Sequence, residues 1–327
     1  MSTLLAYVGY YAPRVEVRTL PDFSVQPDPT PLPSSITTDV SLSPDGAYMA
    51  VAVNNSTKPI IVWETTNWTE ITLPSLPSNT GDGVDFSNDG QYLAYVQYGS
   101  PCVHVWNVSD WSKVNLGEQV SYGGSIRFSE NSNYLAVGTW ETRGFAIYDT
   151  STWTILTGFD SPPVSALCTS IDINETADVV ACFQKASPFL TVYDLTTKAE
   201  LWRNSTDITS ASEDNSKILS INFGGSALAV GHNSNSRINI YNPRTGAGIT
   251  GPSPMTTRIS SVRYNSDGSN LIVASENNSM RYFETSTWTY NTISPNGIWP
   301  YGTDFDGPTG EPPIISKQNA LYFGENF

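Results

Sequence analysis

A repeat is the feature that most restricts what this chain can become. The segment Val40–Val51, reading Val-Ser-Leu-Ser-Pro-Asp-Gly-Ala-Tyr-Met-Ala-Val, returns as Val84–Tyr95, reading Val-Asp-Phe-Ser-Asn-Asp-Gly-Gln-Tyr-Leu-Ala-Tyr. Ile126–Val137 is a third copy, Ile171–Cys182 and Ile221–Val230 are degenerate ones, and Val262–Val273 is well preserved. With Leu42, Phe86, Phe128, Ile173, Phe223 and Tyr264 taken as equivalent, successive copies lie 41 to 50 residues apart. Each copy is an alternating apolar run, a tight Asp-Gly-like turn and a second run, which is the pattern of a β-hairpin. After a polar loop comes a third strand and then a fourth. Ile60–Thr69 is matched by Val103–Ser112, and Phe145–Thr154, Leu190–Ala199, Ile238–Ala247 and Arg281–Thr289 fill the same role. Four short strands per unit of this period predict the blade of a β-propeller, and helical repeats of similar period would lack the Asp-Gly turns.

The chain ends supply a seventh unit. Leu4–Gly9 reads as a second strand, Val15–Thr19 as a third and Phe23–Gln26 as a fourth, with no first strand ahead of them. Gly302–Asp306 lies one period beyond Tyr264, since Phe305 is 41 residues on, and is the candidate for the missing strand. The expectation is an all-β, seven-bladed propeller of four antiparallel strands per blade, forming one domain over 1–327. Segments 1–26 and 302–327 share the closing blade, which hides two sheet edges that would otherwise invite aggregation. The Pro-rich stretch within 27–37 connects that blade to the first complete one. Ala320–Gly324, in the tail Ile314–Phe327, also has second-strand character and finds no slot in this scheme.

Composition narrows the function. Aromatic residues at 12% supply a core, and charged residues are only 14%. A formal charge of −15 repels a phosphate backbone, so nucleic acid is not an expected partner. The start, Met1–Gly9, has no basic region and too short an apolar run for a secretory signal or membrane span, so neither export nor membrane insertion is expected. Cys102, Cys168 and Cys182 form no CxxC pair, and their odd number favours reduced core thiols. Cys168 and Cys182 are symmetric about residue 175, inside an expected turn, which leaves open that they face each other across a hairpin.

The Ser-Pro-Asp-Gly turn at 43–46, its variants at 87–90 and 265–268, and the strands ending Val-Trp-Asn or Val-Tyr-Asp resemble WD40-like propellers over nearly the whole chain. The Gly-His pair usual in that family is absent, and its Trp-Asp dipeptide becomes Trp63-Glu64, Trp106-Asn107 or Tyr148-Asp149. Ser100–Val114, reading Ser-Pro-Cys-Val-His-Val-Trp-Asn-Val-Ser-Asp-Trp-Ser-Lys-Val, is similar to blades of a prokaryotic and phage-associated branch. That branch includes virion structural proteins of tailed phages. The resemblance implies a head or tail component, located in the virion and docked on neighbouring virion subunits.

Residues outside the repeat are the place to look for chemistry, and few have catalytic types. His104 falls mid-strand and is expected to be packed; His232 opens a loop and is expected to be solvated. Asp45, Asp89 and Asp267 occupy the same turn of separate blades, where a carboxylate supports the turn by accepting backbone N–H groups. Gly224–Ala227 fits neither a nucleophile elbow nor a phosphate loop. Asp82, Asp85, Asp304 and Asp306 lack the spacing of a calcium loop. No cofactor, metal or enzymatic activity is expected.

Partner binding then falls to the irregular loops, which gather on one face of the disc. Tyr98, Trp140, Glu141, Arg143, Lys185, Arg203 and Trp299 form the expected contact set, rich in the aromatic and Arg residues of binding hot spots. Phe159 and Trp202 are read either as part of it or as plugs between blades. Trp68, Trp111, Trp153 and Trp288 recur with the module and are read as packing, and Asn204–Lys217 is the longest insertion between blades. Alternatives to the virion scaffold are a lectin-like propeller binding host-surface glycans through its aromatics and a cytoplasmic bacterial adaptor. A propeller hydrolase would need acidic groups converging on the central channel.

Overall fold

The computed structural model describes residues 3–9, 15–20, 22–141, 143–160, 167–187, 189–204, 217–232, 236–275, 279–294 and 300–304. They form seven antiparallel sheets, each a blade. The innermost strands are Thr37–Leu42, Gly81–Phe86, Gly123–Phe128, Cys168–Asn174, Leu219–Ile221, Ile259–Tyr264 and Pro300–Asp304. Each touches the next, and the last touches the first, so the ring is closed.

Closure is made by the two chain ends. Pro300–Asp304 pairs with Thr3–Gly9 in the register Ala6↔Asp304, Tyr7↔Thr303 and Val8↔Gly302, and Thr3–Gly9 pairs in turn with Val15–Leu20. The fourth strand here is reduced to the bridge Arg18↔Val25, as it is to Trp106↔Lys113 in the second blade. A partly buried network braces the N-terminal hairpin of this blade: the Tyr7 hydroxyl donates to Glu16, and Arg18 Nε donates to Glu16 Oε1 at 2.7 Å and to Tyr7 at 2.9 Å.

Blades are covered on both faces, so their second strands read as near-continuous apolar runs, with the larger side chains on one face and alanines on the other. Met49, Val51 and Val53 face the closing blade, whereas Ala50 and Ala52 face Val84, Phe86 and Tyr95 of the next. The core therefore lies between blades and not within any one of them. Where the Ser-x-Asp-Gly turn is intact, the side chains do what the spacing requires. Asp45 Oδ1 accepts from the Ala47 N–H at 2.9 Å and from the Ser43 hydroxyl at 2.6 Å, and Gly46 takes φ +69°. Asp89 and Asp267 accept from Gln91 and Ser269 in the same way.

Two assignments from sequence need correction. Ile221, not Phe223, occupies the position of Leu42 and Phe86, because it pairs with Leu228 as Leu42 pairs with Met49. Phe223 lies two residues on, in the turn, and is 41% exposed. Cys168 and Cys182 are joined as a disulfide, leaving Cys102 as the free, buried thiol. The cause is a bulge between Cys168 and Ser170, which turns Cys168 onto the side of the hairpin that Cys182 occupies.

The third-to-fourth-strand turns show why four tryptophans recur. Trp68, Trp111, Trp153 and Trp288 all adopt positive φ, between 55° and 58°, at the residue that closes the turn. Trp111 packs edge-on against Tyr48 at 5.1 Å and Trp153 against Tyr92 at 5.0 Å, so each clamps the preceding blade. The fifth blade has Gly246 there, and the vacated space holds Trp202 of the fourth blade, 2.8 Å from where a Cβ on Gly246 would stand. Trp202 Nε1 donates to the Pro243 carbonyl at 2.7 Å. Trp202 is thus an inter-blade plug. Phe159 is another, packed between Phe145 at 5.2 Å and the Lys198 ammonium at 4.9 Å.

Candidate interaction site

On the loop face, three aromatic residues from the second and third blades meet. Tyr98 follows the second strand of its blade, Tyr122 precedes the first strand of the next, and Trp140 follows that blade's second strand. Backbone hydrogen bonds order them: Tyr98 N–H to Thr80 O at 3.2 Å, Tyr122 N–H to Gly99 O at 2.8 Å, and Trp140 N–H to Tyr122 O at 2.7 Å. The Tyr98 ring stands 5.1 Å from Tyr122 and 5.5 Å from Trp140, edge-on to both. Tyr98 is 47% and Tyr122 43% exposed, while Trp140 is half-buried over Gly124. Among the described residues its indole N–H has no acceptor. Tyr122 has φ +53°, so a large exposed ring is presented from backbone that carries strain. Such a surface offers flat apolar faces with polar tips, suited to a protein side chain or to a sugar face.

The other expected contacts divide. Glu141 and Arg143 flank this cluster, and Arg143 pairs with Glu118 at 3.6 Å across an exposed gap. Lys185 is exposed on the corresponding loop of the fourth blade. Arg203 lies in the outermost strand Glu200–Asn204 and not in a loop, paired with Glu200 and opposite Thr191 at the start of the third strand, because the outer strand continues to the end of its blade. Trp299, the acidic loop 205–216 and the tail 305–327 lie outside the described residues. His232 is buried, contrary to expectation, its N–H bonded to Arg237 O at 2.9 Å. His104 is packed as expected beside Trp106, and burial together with the neighbouring Lys113 ammonium lowers its pKa to about 4.

Charged and polar residues line the axis: Asp85 and Asp304, weighed in the sequence only as calcium ligands, together with Arg127, Asp172 and Arg263, which sequence reasoning missed. The residue before the turn hydrophobe points inward in every blade: Ser41, Asp85, Arg127, Asp172, Ser220, Arg263 and Asp304. Their parity in the repeat was the available signal. Arg127 contacts Asp85 at 3.3 Å and Asp39 at 3.9 Å; Arg263 contacts Asp304 at 3.3 Å and, across the axis, Asp85 at 3.7 Å. The same carboxylates lace blade to blade. Asp85 accepts from Phe128 N–H at 2.6 Å, Asp172 from Ile221 N–H at 2.6 Å, and Asp304 from Leu42 N–H at 2.8 Å. Ser41, Ser125, Ser170 and Ser220 accept from the next blade likewise. Lys217, fully buried, crosses to Gly124 O at 2.9 Å, and burial lowers its pKa. Burial pushes Asp85 up to about 6, against the pull of Arg127 and Arg263.

Acidic groups therefore do converge on the channel, and each of Asp85, Asp172 and Asp304 is engaged by a guanidinium, a backbone N–H or both. Below them a small polar cavity of about 50 Å³ opens beside Arg263 and Phe223. Among the described residues, no cluster of three His, Cys, Asp or Glu side chains is placed to hold a metal ion, and no helix is long and apolar enough to cross a membrane.

The arrangement defines a seven-bladed β-propeller closed by its two ends. No protein-family model and no curated protein matches the sequence. Among solved structures the chain is similar to the crystal structure of the computationally designed Ika8 protein, at 11% identity and a TM-score of 0.65, over 88% of this chain and 83% of that one. Matches extend to 1833 solved chains, so the fold is widely shared and by itself selects no function.

Proposed function

We propose that this propeller is a non-enzymatic interaction scaffold, a structural component of a phage head or tail that docks on neighbouring virion subunits through its loop face. The observation that carries the scaffold reading is the Tyr98, Tyr122 and Trp140 cluster: two exposed rings and a half-buried indole, fixed by backbone hydrogen bonds. Rigid aromatic surface of this kind loses little side-chain entropy on binding and concentrates affinity. The axial carboxylates support a non-catalytic reading, because their lone pairs are committed to joining blades. The virion assignment rests on the resemblance of Ser100–Val114 to phage-associated blades. Particle fractionation with mass spectrometry tests it: the chain is expected in assembled particles, and its absence from them sinks the assignment.

A second reading, a glycan-binding face, is favoured by the mutually edge-on tyrosine rings, whose open faces suit sugar stacking. On a glycan array the wild type is expected to give signal that Trp140→Ala and Tyr98→Ala lose. No signal above those variants removes this reading and leaves the protein-docking one standing.

A further inference from the structure

The Tyr98, Tyr122 and Trp140 rings do more than expose apolar surface, because their planes are turned against one another. Tyr98 makes an interplanar angle of 62° with Tyr122 and 67° with Trp140, at centroid separations of 5.1 and 5.5 Å. Two rings set edge to face at such spacing enclose an angle in which one small group lies within about 6 Å of both centroids, the reach over which a cation is held by the negative face of a ring. Tyr98 shares such an angle with each neighbour. Backbone floors the site: a Cβ on Gly124 would stand 2.4 Å from the Trp140 indole nitrogen, so the indole rests on the chain there.

Charge supplies a second observation. Glu118 is engaged by Arg143 at 3.6 Å, whereas among the described residues no ion pair engages the half-buried Glu141. Burial and, after it, the Glu141 charge push the Cys102 thiol up, which places that carboxylate near Cys102. Cys102 Sγ is in turn 3.2 Å from where a Cβ on Gly123 would stand, next to Tyr122. An unpaired carboxylate thus borders the aromatic cup on a chain of formal charge −15, and such a field draws cations and repels anions. A neutral sugar would use the rings but leave Glu141 without a counter-charge.

We propose that this cup is a cage for a basic side chain, Arg or Lys, presented by a segment of the partner protein. The proposal deepens the scaffold reading and rests on it: the surface that the loop face meets is basic, and one of its cations seats in the aromatic angle at Tyr98 while Glu141 balances its charge. Arginine fits better than lysine, because a guanidinium is more weakly hydrated than an ammonium and lies flat on a ring.

The test uses the full chain with isotope-labelled tryptophan, whose nine indole N–H groups report separately by NMR, Trp140→Phe identifying the signal of Trp140. Capped peptides Gly-Gly-X-Gly-Gly, with X as arginine, lysine, citrulline or norleucine, are titrated at low salt. The arginine and lysine peptides are expected to move the Trp140 signal, and the uncharged citrulline and norleucine peptides to bind about fivefold more weakly or worse. Added salt should weaken only the two charged peptides. Tyr98→Leu, which keeps an apolar side chain but removes the ring face, and Glu141→Gln should each weaken the arginine peptide about fivefold, with the melting temperature within about 2 °C of wild type. A Trp140 signal unmoved by either cationic peptide, equal binding of the norleucine peptide, or binding indifferent to both substitutions would overturn the proposal, and a glycan that moves the signal where no peptide does would assign the cup to sugars instead. Failure of the peptides with a chain that is nonetheless found in assembled particles sinks the cage and leaves the docking reading standing. Peptide binding by a chain absent from particles does the reverse, supporting the cage and sinking the virion assignment.

Discussion

Replacing Arg127 with methionine probes the axis where the structure places most of its buried charge. The side chain is nearly inaccessible and holds Asp85 at 3.3 Å and Asp39 at 3.9 Å. Its loss leaves two buried carboxylates short of a counter-charge, a change that costs about 3–5 kcal/mol when one member of a buried pair is removed. The cost should depend on pH, with a sign set by Asp85. Burial raises its native pKa to about 6, so folding takes up a proton between the unfolded carboxylate range and that value. Stability associated with the protonated carboxyl is fully present at low pH and is lost as pH rises towards 6. Arg127 is the largest influence opposing this rise, so without it the native pKa moves higher and the loss extends above pH 6. Each further unit is worth about 1.4 kcal/mol at alkaline pH. Thermal unfolding should therefore show a fall in Tm on the order of 5–10 °C at pH 8 and about half that at pH 5. Adding Asp85→Asn, which keeps an acceptor for the Phe128 N–H, should recover much of the pH 8 loss. Equal shifts at the two pH values, or a fall below about 2 °C at pH 8, would refute the reasoning.

Other consequences are local. Trp202→Ala removes the plug over Gly246 and should destabilise by about 3–5 kcal/mol, as large-to-small core changes do; Gly246→Ala should also destabilise, by about 1–3 kcal/mol, since it adds a Cβ at positive φ into the indole. Chemical denaturation measures both, and neutrality of either would mean that Trp202 does not occupy that space. Thiol titration of the unfolded, unreduced chain should find the single thiol of Cys102, whereas three would show Cys168 and Cys182 to be unpaired. Tyr98→Ser should leave the melting temperature within about 2 °C of wild type, because an exposed side chain away from the core contributes little, while abolishing whatever contact the loop face makes. A large drop in stability would recast Tyr98 as structural.

The sequence made the ring legible because each blade meets the same constraint at the same place: a turn that needs Asp and Gly, followed by a run buried on both faces. It failed where that anchor was missing. In the fifth blade the turn Asn222–Gly225 lacks the serine and aspartate, so the largest apolar residue, Phe223, stood in for Ile221. Trp140 and Tyr98 were visible because no repeat position explains them. Tyr122 was hidden, since its ring joins the cluster only through the fold of two blades. Arg203 looked like a loop residue because a strand's last residues and a loop's first have the same composition. The axial ring was hidden for a different reason. Inward-pointing residues vary between Asp, Arg and Ser, and only the assembled ring brings the carboxylates against the guanidinium groups. The Cys168–Cys182 bond depended on a bulge, which no pattern of alternation reveals.

The ring closes through the pairing of the two chain ends, and a cross-link across that pairing is the most direct measurement. Val8 and Gly302 are register partners in the closing blade. A chain carrying Val8→Cys and Gly302→Cys should oxidise spontaneously, yield a disulfide-linked peptide pair joining the two ends in mass spectra, and melt at higher temperature than its reduced form. If the folded protein leaves both thiols free, or links them only between molecules, the two chain ends do not pair in one closing blade.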